Sequence, residues 1–338
     1  MMQARALLLA LLLTGASPRI VPAGDSPILN VQVQQGSVTI RTWNRPEIGI
    51  ETSSNLAVRH FAADRVALSD GSITFYAQSV NSPNGTLTLP LETFSLAALT
   101  GGHDAVDVRS IDAGAVNVQI DVPVHAALVV SRVGRGKLTL LDYHAGFFAL
   151  SIHTGALVMR NVSGIGYAQV VRGPFLAANS SFDQLRARTA VGNLYFERCK
   201  AAEIQVTSIA GSIVYDDGSF EPGLARFESL FGNVALGIGS GSARIGAHSS
   251  SGKIFSDFGR HVSVASGTTD AAATVGHNGP FVTATSQSGA VYLYDGSYRR
   301  HRTKVGSQWG PMNRVMRHRR APQPHLRAKT GATPPHPA

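Results

Sequence analysis

Apolar and polar residues alternate along much of the chain in short runs that glycines interrupt. In AAEIQVTSIAGSIVYDDGS, residues 201–219, the apolar positions alternate up to Gly211 and alternate again beyond it. ARFESLFGNVALG and SSSGKIFSDFG repeat the pattern further along the chain. This alternation predicts strands with one buried face, because a helix would place its apolar residues three and four positions apart.

The glycines that interrupt these runs recur with a nearly constant period. Gaps of 19, 18, 19, 19, 21, 20 and 37 residues separate Gly136, Gly155, Gly173, Gly192, Gly211, Gly232, Gly252 and Gly289. We interpret the last gap as two turns with a weakly marked glycine near Gly267, and Gly114 as a candidate first member of the series. A hydroxyl often stands three residues before the glycine, as in Thr189, Ser208, Ser229, Ser249 and Ser286. Such hydroxyls suit a bend because they bond nearby backbone groups, and a fixed period is typical of repeat architectures.

Each repeat of two short strands and a glycine corner predicts one coil of a β-solenoid. One coil cannot bury its apolar face alone, whereas stacked coils pair their backbones at about 4.8 Å and share a core. We therefore predict an all-β, single-domain parallel β-solenoid (β-helix or roll) with about 19–21 residues per coil and an irregular β N-terminal cap. Gln205, Thr207, Arg226 and Glu228 are expected to face water. An antiparallel β-sandwich also alternates, but it gives no reason for a constant period.

The pattern divides the chain into four segments. Residues 1–23 are predicted to be a signal peptide, 28–121 an N-terminal β cap with the first irregular coils, 122–298 the regular β-solenoid, and 299–338 a basic, proline-rich disordered tail. Within the cap, LETFSLAALTGGHD, residues 91–104, is expected to be a short helix or an insert loop.

The beginning of the sequence predicts export. Arg5 precedes an apolar run from Ala6 to Leu13, which is too short to span a bilayer. Small residues allow signal cleavage after Ala16 or after Ala23. We therefore expect a periplasmic, cell-surface or extracellular protein with no transmembrane span after cleavage.

The basic charge of the chain belongs to its last segment. The net charge is +9, from 30 Lys and Arg against 21 Asp and Glu. Ten of these cations and none of the acidic residues follow residue 298, so the preceding part is close to neutral. The tail is therefore a candidate binding segment for anionic cell-envelope polymer or lipid. Its candidate residues include Arg299, Arg300, Arg302, Arg317, Arg319 and Arg320. Nucleic acid is not predicted as a partner, because export removes the protein from it.

Cys199 is the one cysteine of the sequence. A single thiol excludes an internal disulfide framework. No neighbouring residue type indicates an activating base, so we interpret Cys199 as a small packed side chain.

Two stretches go beyond a general β pattern. VQVQQGSVTIRTWNRPEIGIE resembles the opening of a bacterial family of exported, adhesin-like β-solenoid domains of unknown function. The matching positions are Gly36, Val38, Ile40, Trp43, Ile48 and Ile50. A second stretch, VNVQIDVPVHAALVVSRVGRGKLTL, resembles the point where the regular coils of such domains begin, with Val122-Pro123 leading to Gly136. The resemblance covers about residues 30–298 and implies a fold, but the family has no catalytic signature to transfer. The basic tail and the irregular segment from about 52 to 110 depart from it.

Three Asn-x-Ser/Thr sequences occur, at Asn84, Asn161 and Asn179. They would accept glycans in a eukaryotic secretory pathway. The composition and the family resemblance indicate a bacterium, so we interpret these sequences as chance matches.

Carboxylates recur at predicted coil corners. Asp216 and Asp217 are adjacent, and gaps of 41 and 38 residues, each close to two coils, separate Asp216 from Asp257 and Asp257 from Asp295. Stacked carboxylates could bind Ca²⁺, and a pair could serve a polysaccharide-cleaving enzyme as acid and base. Asp-Gly is also an ordinary turn dipeptide, and two-coil gaps put these groups nearly 10 Å apart.

His125 and His144 are candidate metal ligands, because both lie eleven residues before an aligned glycine. They should occupy the same edge of adjacent coils with Asp142 nearby, and two imidazoles with a carboxylate could hold a transition metal. A surface pair without metal explains the same spacing. His103-Asp104 follows Gly102 and shows no third partner.

Taken together, these patterns predict a non-enzymatic, exported, adhesin-like structural or binding module of the bacterial cell envelope, with no cofactor. A protein or polysaccharide ligand is expected on the flat face of stacked side chains. The alternatives are a carbohydrate-active β-helix enzyme that uses Asp216 and Asp217, and a self-assembling envelope scaffold.

Overall fold

The computed structural model describes residues 19–24, 26–52, 56–63, 72–75, 78–82, 85–89, 92–95, 103–111, 114–258, 262–264, 269–277 and 279–296. All regular elements in these ranges are strands. Twenty-two of them form one sheet, and the other four form two separate two-stranded sheets. In the described ranges, no helix is long and apolar enough to cross a membrane.

The first third of the chain forms ten strands, of which β5 to β8 make up the two small sheets and the other six belong to the main sheet. They are β1 (Arg19–Pro22), β2 (Ile28–Trp43), β3 (Glu47–Thr52), β4 (Leu56–Ala63), β5 (Ser72–Phe75), β6 (Gln78–Ser82), β7 (Gly85–Leu89), β8 (Glu92–Ser95), β9 (His103–Ser110) and β10 (Val116–Pro123).

The remaining strands are mostly short and parallel. They are β11 (Leu128–Leu141), β12 (His144–Arg160), β13 (Ser163–Arg172), β14 (Phe175–Ala178), β15 (Ser181–Val191), β16 (Leu194–Glu197), β17 (Lys200–Ala210), β18 (Ile213–Phe220), β19 (Ala225–Phe231), β20 (Val234–Ile238), β21 (Ala243–Ser249), β22 (Ile254–Ser256), β23 (Val262–Val264), β24 (Asp270–Val275), β25 (Phe281–Ser286) and β26 (Val291–Asp295).

The N-terminal strands of the main sheet are joined to its later strands through β2. This strand pairs in parallel with β11 along one edge and with β9 and β10 along the other. Gly36 therefore lies opposite Gly136 and begins the glycine series in space, whereas Gly114 does not align with it. The expected helix or insert loop at residues 91–104 is wrong where it is described, because β8 pairs with β5 and β9 pairs with β2 and β4.

Strand β1 lies inside the predicted signal peptide. Residues 1–18 of that segment fall outside the described residues. Arg19–Pro22 pairs with β3 in the antiparallel direction, and Val21 and Ala23 are buried. This stretch is therefore part of the folded sheet.

Successive repeats pair in register through the middle of the chain. Gly155 lies opposite Gly136, and the backbone of each following glycine up to Gly232 approaches the carbonyl of the glycine one repeat earlier. The strands on both sides of the glycines pair one repeat with the next, as in β15 with β17 and β14 with β16.

At the C-terminal end the order of rows differs from the order of the sequence. Gly289 lies against the carbonyl of Gly232, and Gly252 lies against Gly289 at the far side. Strands β25 and β26 are thus inserted between β19–β20 and β21–β22. Our interpretation of the 37-residue gap as two stacked turns is wrong, because the chain leaves the stack and returns inside it.

The predicted fold class, an open parallel β-solenoid, is also wrong. Seven parallel strands close into a barrel in the order β12, β13, β15, β17, β18, β16 and β14, and the last of these pairs with β12 again. The other strands lie outside this closed ring. Closure has two causes. The 17-residue strand β12 pairs with β13 and then with β14, and at the other end Ser219 and Phe220 extend β18 until it pairs with β17.

The alternating pattern does locate the interior. Ile204, Val206, Ile213 and Tyr215 are buried in the main apolar core, which runs through the whole stack. The polar residues that alternate with buried ones face outward as expected: Gln205 and Thr207 in β17 and Glu228 in β19 are half-buried, and Arg226 in β19 is exposed.

The hydroxyls before the glycines form a buried column inside this core. Ser229, Ser286 and Ser249 donate hydrogen bonds of 2.8, 2.8 and 2.7 Å to the carbonyls of Gly211, Gly232 and Gly289. These three hydroxyls therefore bond to the neighbouring row and tie the rows together at the glycine corner, and Ser249 Oγ also accepts a hydrogen bond of 2.9 Å from Gly252 N in its own turn. The hydroxyls of Thr189 and Ser208 are buried without a hydrogen-bond partner in the described part of the chain.

Candidate functional site

The three predicted metal ligands lie at one edge of the sheet, but their side chains do not converge on one site. His125 is exposed in the turn after β10 and lines a shallow depression that also contains Arg45. Nδ1 of His144 lies 3.2 Å from Ser163 Oγ. Asp142 Oδ1 accepts a hydrogen bond of 2.7 Å from Asn161. Across the described ranges, no group of three or more His, Cys, Asp or Glu side chains could hold a metal ion.

The four predicted corner carboxylates are also dispersed. Asp216 is buried, and its Oδ1 accepts a hydrogen bond of 3.3 Å from the hydroxyl of Tyr294. Asp217 follows it in the left-handed region, with a φ of 55°. Asp257 follows β22 and Asp295 ends the adjacent strand β26, one row apart, because of the inserted strands. A buried Asp216 cannot reach a substrate, so the geometry does not support an acid–base pair with Asp217.

The tail residues Arg299, Arg300, Arg302, Arg317, Arg319 and Arg320 lie outside the described residues, as does Asn84. Cys199 is buried, as its interpretation as a packing residue requires. Burial raises the pKa of its thiol to about 12, so the reactive thiolate is scarce at neutral pH.

A different feature brings functional groups together. Five residues one repeat apart occupy the left-handed backbone region, with φ between 49° and 55°, and we call them the polar corner: Asp142, Asn161, Asn179, Arg198 and Asp217. All are exposed except the half-buried Asp217. Left-handed geometry favours Asp and Asn because their short polar side chains can bond locally.

The backbone holds this corner in register. The N–H groups of Asp142, Asn161, Asn179 and Arg198 each donate to a carbonyl of the next row, over distances from 2.9 to 3.1 Å. Because all five residues make the same bend and four of them make the same bond, the five side chains leave the sheet along one line.

The side chains of the polar corner bond to each other along that line. Asn161 donates to Asp142 at 2.7 Å, and Nε of Arg198 donates to Asn179 at 2.7 Å. Arg198 also forms an ion pair of 3.1 Å with Glu197. The corner thus presents carboxylate, amide and guanidinium groups in successive rows, and four of the five residues are held in two bonded pairs.

Sequence reasoning missed the polar corner as a unit. The sequence patterns place Asp142 and Asp217 in separate candidate sites and mark Asn161 and Asn179 only as glycan acceptors. The signal was nonetheless present, since gaps of 19, 18, 19 and 19 residues separate the five positions and match the glycine series.

Comparison with known proteins adds little to this geometry. No family model matches the chain, and no curated protein matches it. The structure is similar to one described as "a putative cell adhesion protein" from Clostridium sporogenes ATCC 15579, with 11% identity and a TM-score of 0.23, over 82% of this chain and 100% of that one. The family resemblance drawn from the two N-terminal stretches therefore stays a prediction.

Proposed function

We propose that this protein is an exported, adhesin-like binding module of the bacterial cell envelope, which contacts an extended polar polymer along the polar corner. The observation that supports this is the repetition of outward hydrogen-bonding groups at one strand spacing over five rows. Four spacings of about 4.8 Å give a line roughly 19 Å long.

A line of this kind suits a polymer because the ligand repeats as well. Each row offers an amide, a carboxylate or a guanidinium, and one exposed hydrogen bond contributes only about 0.5–1.5 kcal/mol. Several such contacts on one chain act together, since the first makes the following ones intramolecular. Binding at the corner makes and breaks no covalent bond.

In this proposal the basic tail holds the protein to the cell envelope. Its ten cations face no acidic residue within the tail, so they would attract an anionic polymer or lipid surface. Signal cleavage after Ala16 would leave β1 in the mature protein, whereas cleavage after Ala23 would remove a strand that pairs with β3.

The corner is tested by removing its amides without changing its backbone. Asn161→Gly and Asn179→Gly keep the left-handed geometry, because glycine adopts it without strain. We expect the double variant of the full chain to co-sediment with insoluble envelope polysaccharide about tenfold more weakly, which corresponds to about 1.4 kcal/mol. Gln205→Ala with Thr207→Ala is the matched control on the strand face and should bind normally. Equal binding by both double variants would contradict the corner as the binding site.

The tail is tested separately in the full chain. Changing its six named arginines to glutamine removes charge while keeping length, and we expect less retention on anionic envelope fractions at low salt. High salt should abolish the difference, because screening weakens exposed charge contacts. Unchanged retention at low salt would remove the anchoring role and leave the corner proposal standing.

A further inference from the structure

Three polar side chains form a hydrogen-bonded chain at the C-terminal end of the main sheet. Nδ1 of His248 lies 2.7 Å from Asp270 Oδ1, and Nε2 of His248 lies 3.2 Å from Ser250 Oγ. The order is therefore hydroxyl, imidazole and carboxylate, with one ring nitrogen used on each side.

The strand pattern explains why these residues meet. His248 and Ser250 are two positions apart, so they project from the same face at the end of β21. Asp270, the first residue of β24, lies directly opposite His248 in the antiparallel pair. Thr285 is the uncharged partner of His248 on its other side, in β25. None of these residues could be placed together from the repeat alone, because β24 runs against the direction of the rows.

The surrounding bonds fix each member. Ser249, which lies between His248 and Ser250, points inward and donates to the carbonyl of Gly289 at 2.7 Å. The N–H of Ser250 donates to Ser286 O at 3.0 Å. Thr269 Oγ1 donates to the second oxygen of Asp270 at 2.9 Å.

The carboxylate determines which imidazole nitrogen carries the proton. An ionised Asp only accepts hydrogen bonds, so Nδ1 of His248 donates, and in the neutral form of the ring Nε2 is the nitrogen that can accept from Ser250. The hydrogen bond from His248 lowers the pKa of Asp270 below its ordinary 3.8, which keeps the carboxylate ionised at neutral pH. This is the tautomer that a general base requires.

We propose that Ser250, His248 and Asp270 form a nucleophile, base and positioning residue that transfer the acyl group of a carboxylic ester to water. Ser250 Oγ bonds to the acyl carbon while its proton moves to Nε2 of His248. The ester C–O bond then breaks, and the same proton passes to the leaving alcohol. Water cleaves the acyl-serine by the same route, which releases the carboxylic acid and restores Ser250.

The exposure of the site indicates its substrate class. The side chains of His248 and Asp270 are 42% and 72% exposed. Such an open surface cannot enclose a long acyl chain. It can admit a short ester, such as an O-acetyl group carried on a polymer. The three residues are separate from the polar corner, so this inference does not depend on the proposed function.

The inference is tested on the full chain with a fluorophosphonate reagent and with p-nitrophenyl acetate. The reagent would phosphonylate Ser250 Oγ and release fluoride, and peptide mass spectrometry would locate the label. We expect Ser250→Ala to abolish labelling and ester hydrolysis, and His248→Asn to slow both by about 10²–10⁴-fold. Ser251→Ala is the matched control, because that exposed hydroxyl donates to Gln287 O at 2.9 Å and has no imidazole beside it.

The positioning role of Asp270 has its own measurement. Asp270→Asn should slow hydrolysis and move the acid side of its pH–rate profile, and Asp270→Glu should restore part of the rate. Far-UV circular dichroism confirms that each variant is folded. Absence of any reaction in the native chain, equal labelling of Ser250 and Ser251, or an unchanged rate in His248→Asn would each overturn the proposal.

Discussion

The glycine column makes the sharpest prediction about what holds the rows together. Gly192 combines two constraints, because its φ is +147° and a Cβ built on it would lie 1.9 Å from the carbonyl oxygen of Gly173. We therefore expect Gly192→Ala to destabilise the protein strongly.

The magnitude follows from these two constraints. An L side chain in a left-handed backbone conformation costs roughly 1–2 kcal/mol. The neighbouring backbone must also move by about 1.1 Å to reach the 3.0 Å that real Cβ contacts respect. That movement strains the bonds from Gly173 N to Val191 O, 2.8 Å, and from Gly192 N to Ala210 O, 2.9 Å. At about 1 kcal/mol for each weakened bond, the total loss is about 3–4 kcal/mol.

Three other glycines separate the two constraints. Gly232→Ala meets a carbonyl oxygen at 2.2 Å with no positive φ, whereas Gly241→Ala has a φ of +101° with nothing within 4 Å. Gly114→Ala has neither constraint and should be neutral or stabilising by up to about 1 kcal/mol, through the unfolded state. The expected order of destabilisation is Gly192, Gly232, Gly241 and Gly114.

The assay is urea unfolding followed by far-UV circular dichroism, with midpoints compared among variants of similar slope. A Gly192→Ala variant as stable as Gly114→Ala would refute the close backbone contact between rows. Equal losses at Gly192 and Gly241 would instead show that backbone conformation alone accounts for the regular spacing of the column.

Two further predictions concern buried polar groups. Cys199 should resist iodoacetamide in the native protein at pH 8, because its pKa of about 12 and its burial leave little accessible thiolate. The same thiol should react fully in urea. Rapid alkylation of the native protein, measured by intact mass, would contradict this. Ser229→Ala should cost about 1 kcal/mol by removing the hydrogen bond to Gly211, whereas Ser208→Ala should cost less, since the Ser208 hydroxyl has no hydrogen-bond partner in the described structure. Equal urea midpoints for the two serine variants would count against the column of row-to-row bonds.

The local parts of this fold could be predicted because they depend on residues close in sequence. Alternation through Ile204, Val206, Ile213 and Tyr215 identified strands and their buried face, since a buried apolar side chain needs no distant partner to be recognised. The hydroxyl column was also visible, but its bonds cross to the next row, as Ser286 does to Gly232. The periodic hydroxyls thus predicted where the hydrogen bonds begin, but not the carbonyl that each hydroxyl bonds.

The global parts could not be predicted because they depend on pairings that leave no periodic mark. Ring closure depends on Ser219 and Phe220, which carry β18 two residues further so that it reaches β17. The inserted rows depend on β25, whose strand pattern fits a place beside β19 or beyond β21 equally well. The site of Ser250, His248 and Asp270 was missed for the same reason, since an antiparallel strand created it.

In the polar corner, an unfavourable backbone conformation at one residue indicates that its side chain has a function. Asp and Asn tolerate the left-handed region, but Arg198 occupies it with a φ of 49° although its long side chain gains nothing from that geometry. A left-handed L residue without such local compensation costs roughly 1–2 kcal/mol, and glycine would avoid this cost. The row-to-row bond from Arg198 N to Asp216 O forms with any side chain, so it does not explain the choice of arginine. The guanidinium does, because it bonds Asn179 and Glu197 and places a positive charge in the outward line of the corner. The residue that fits its backbone worst is therefore the one that adds a cation to the proposed binding surface.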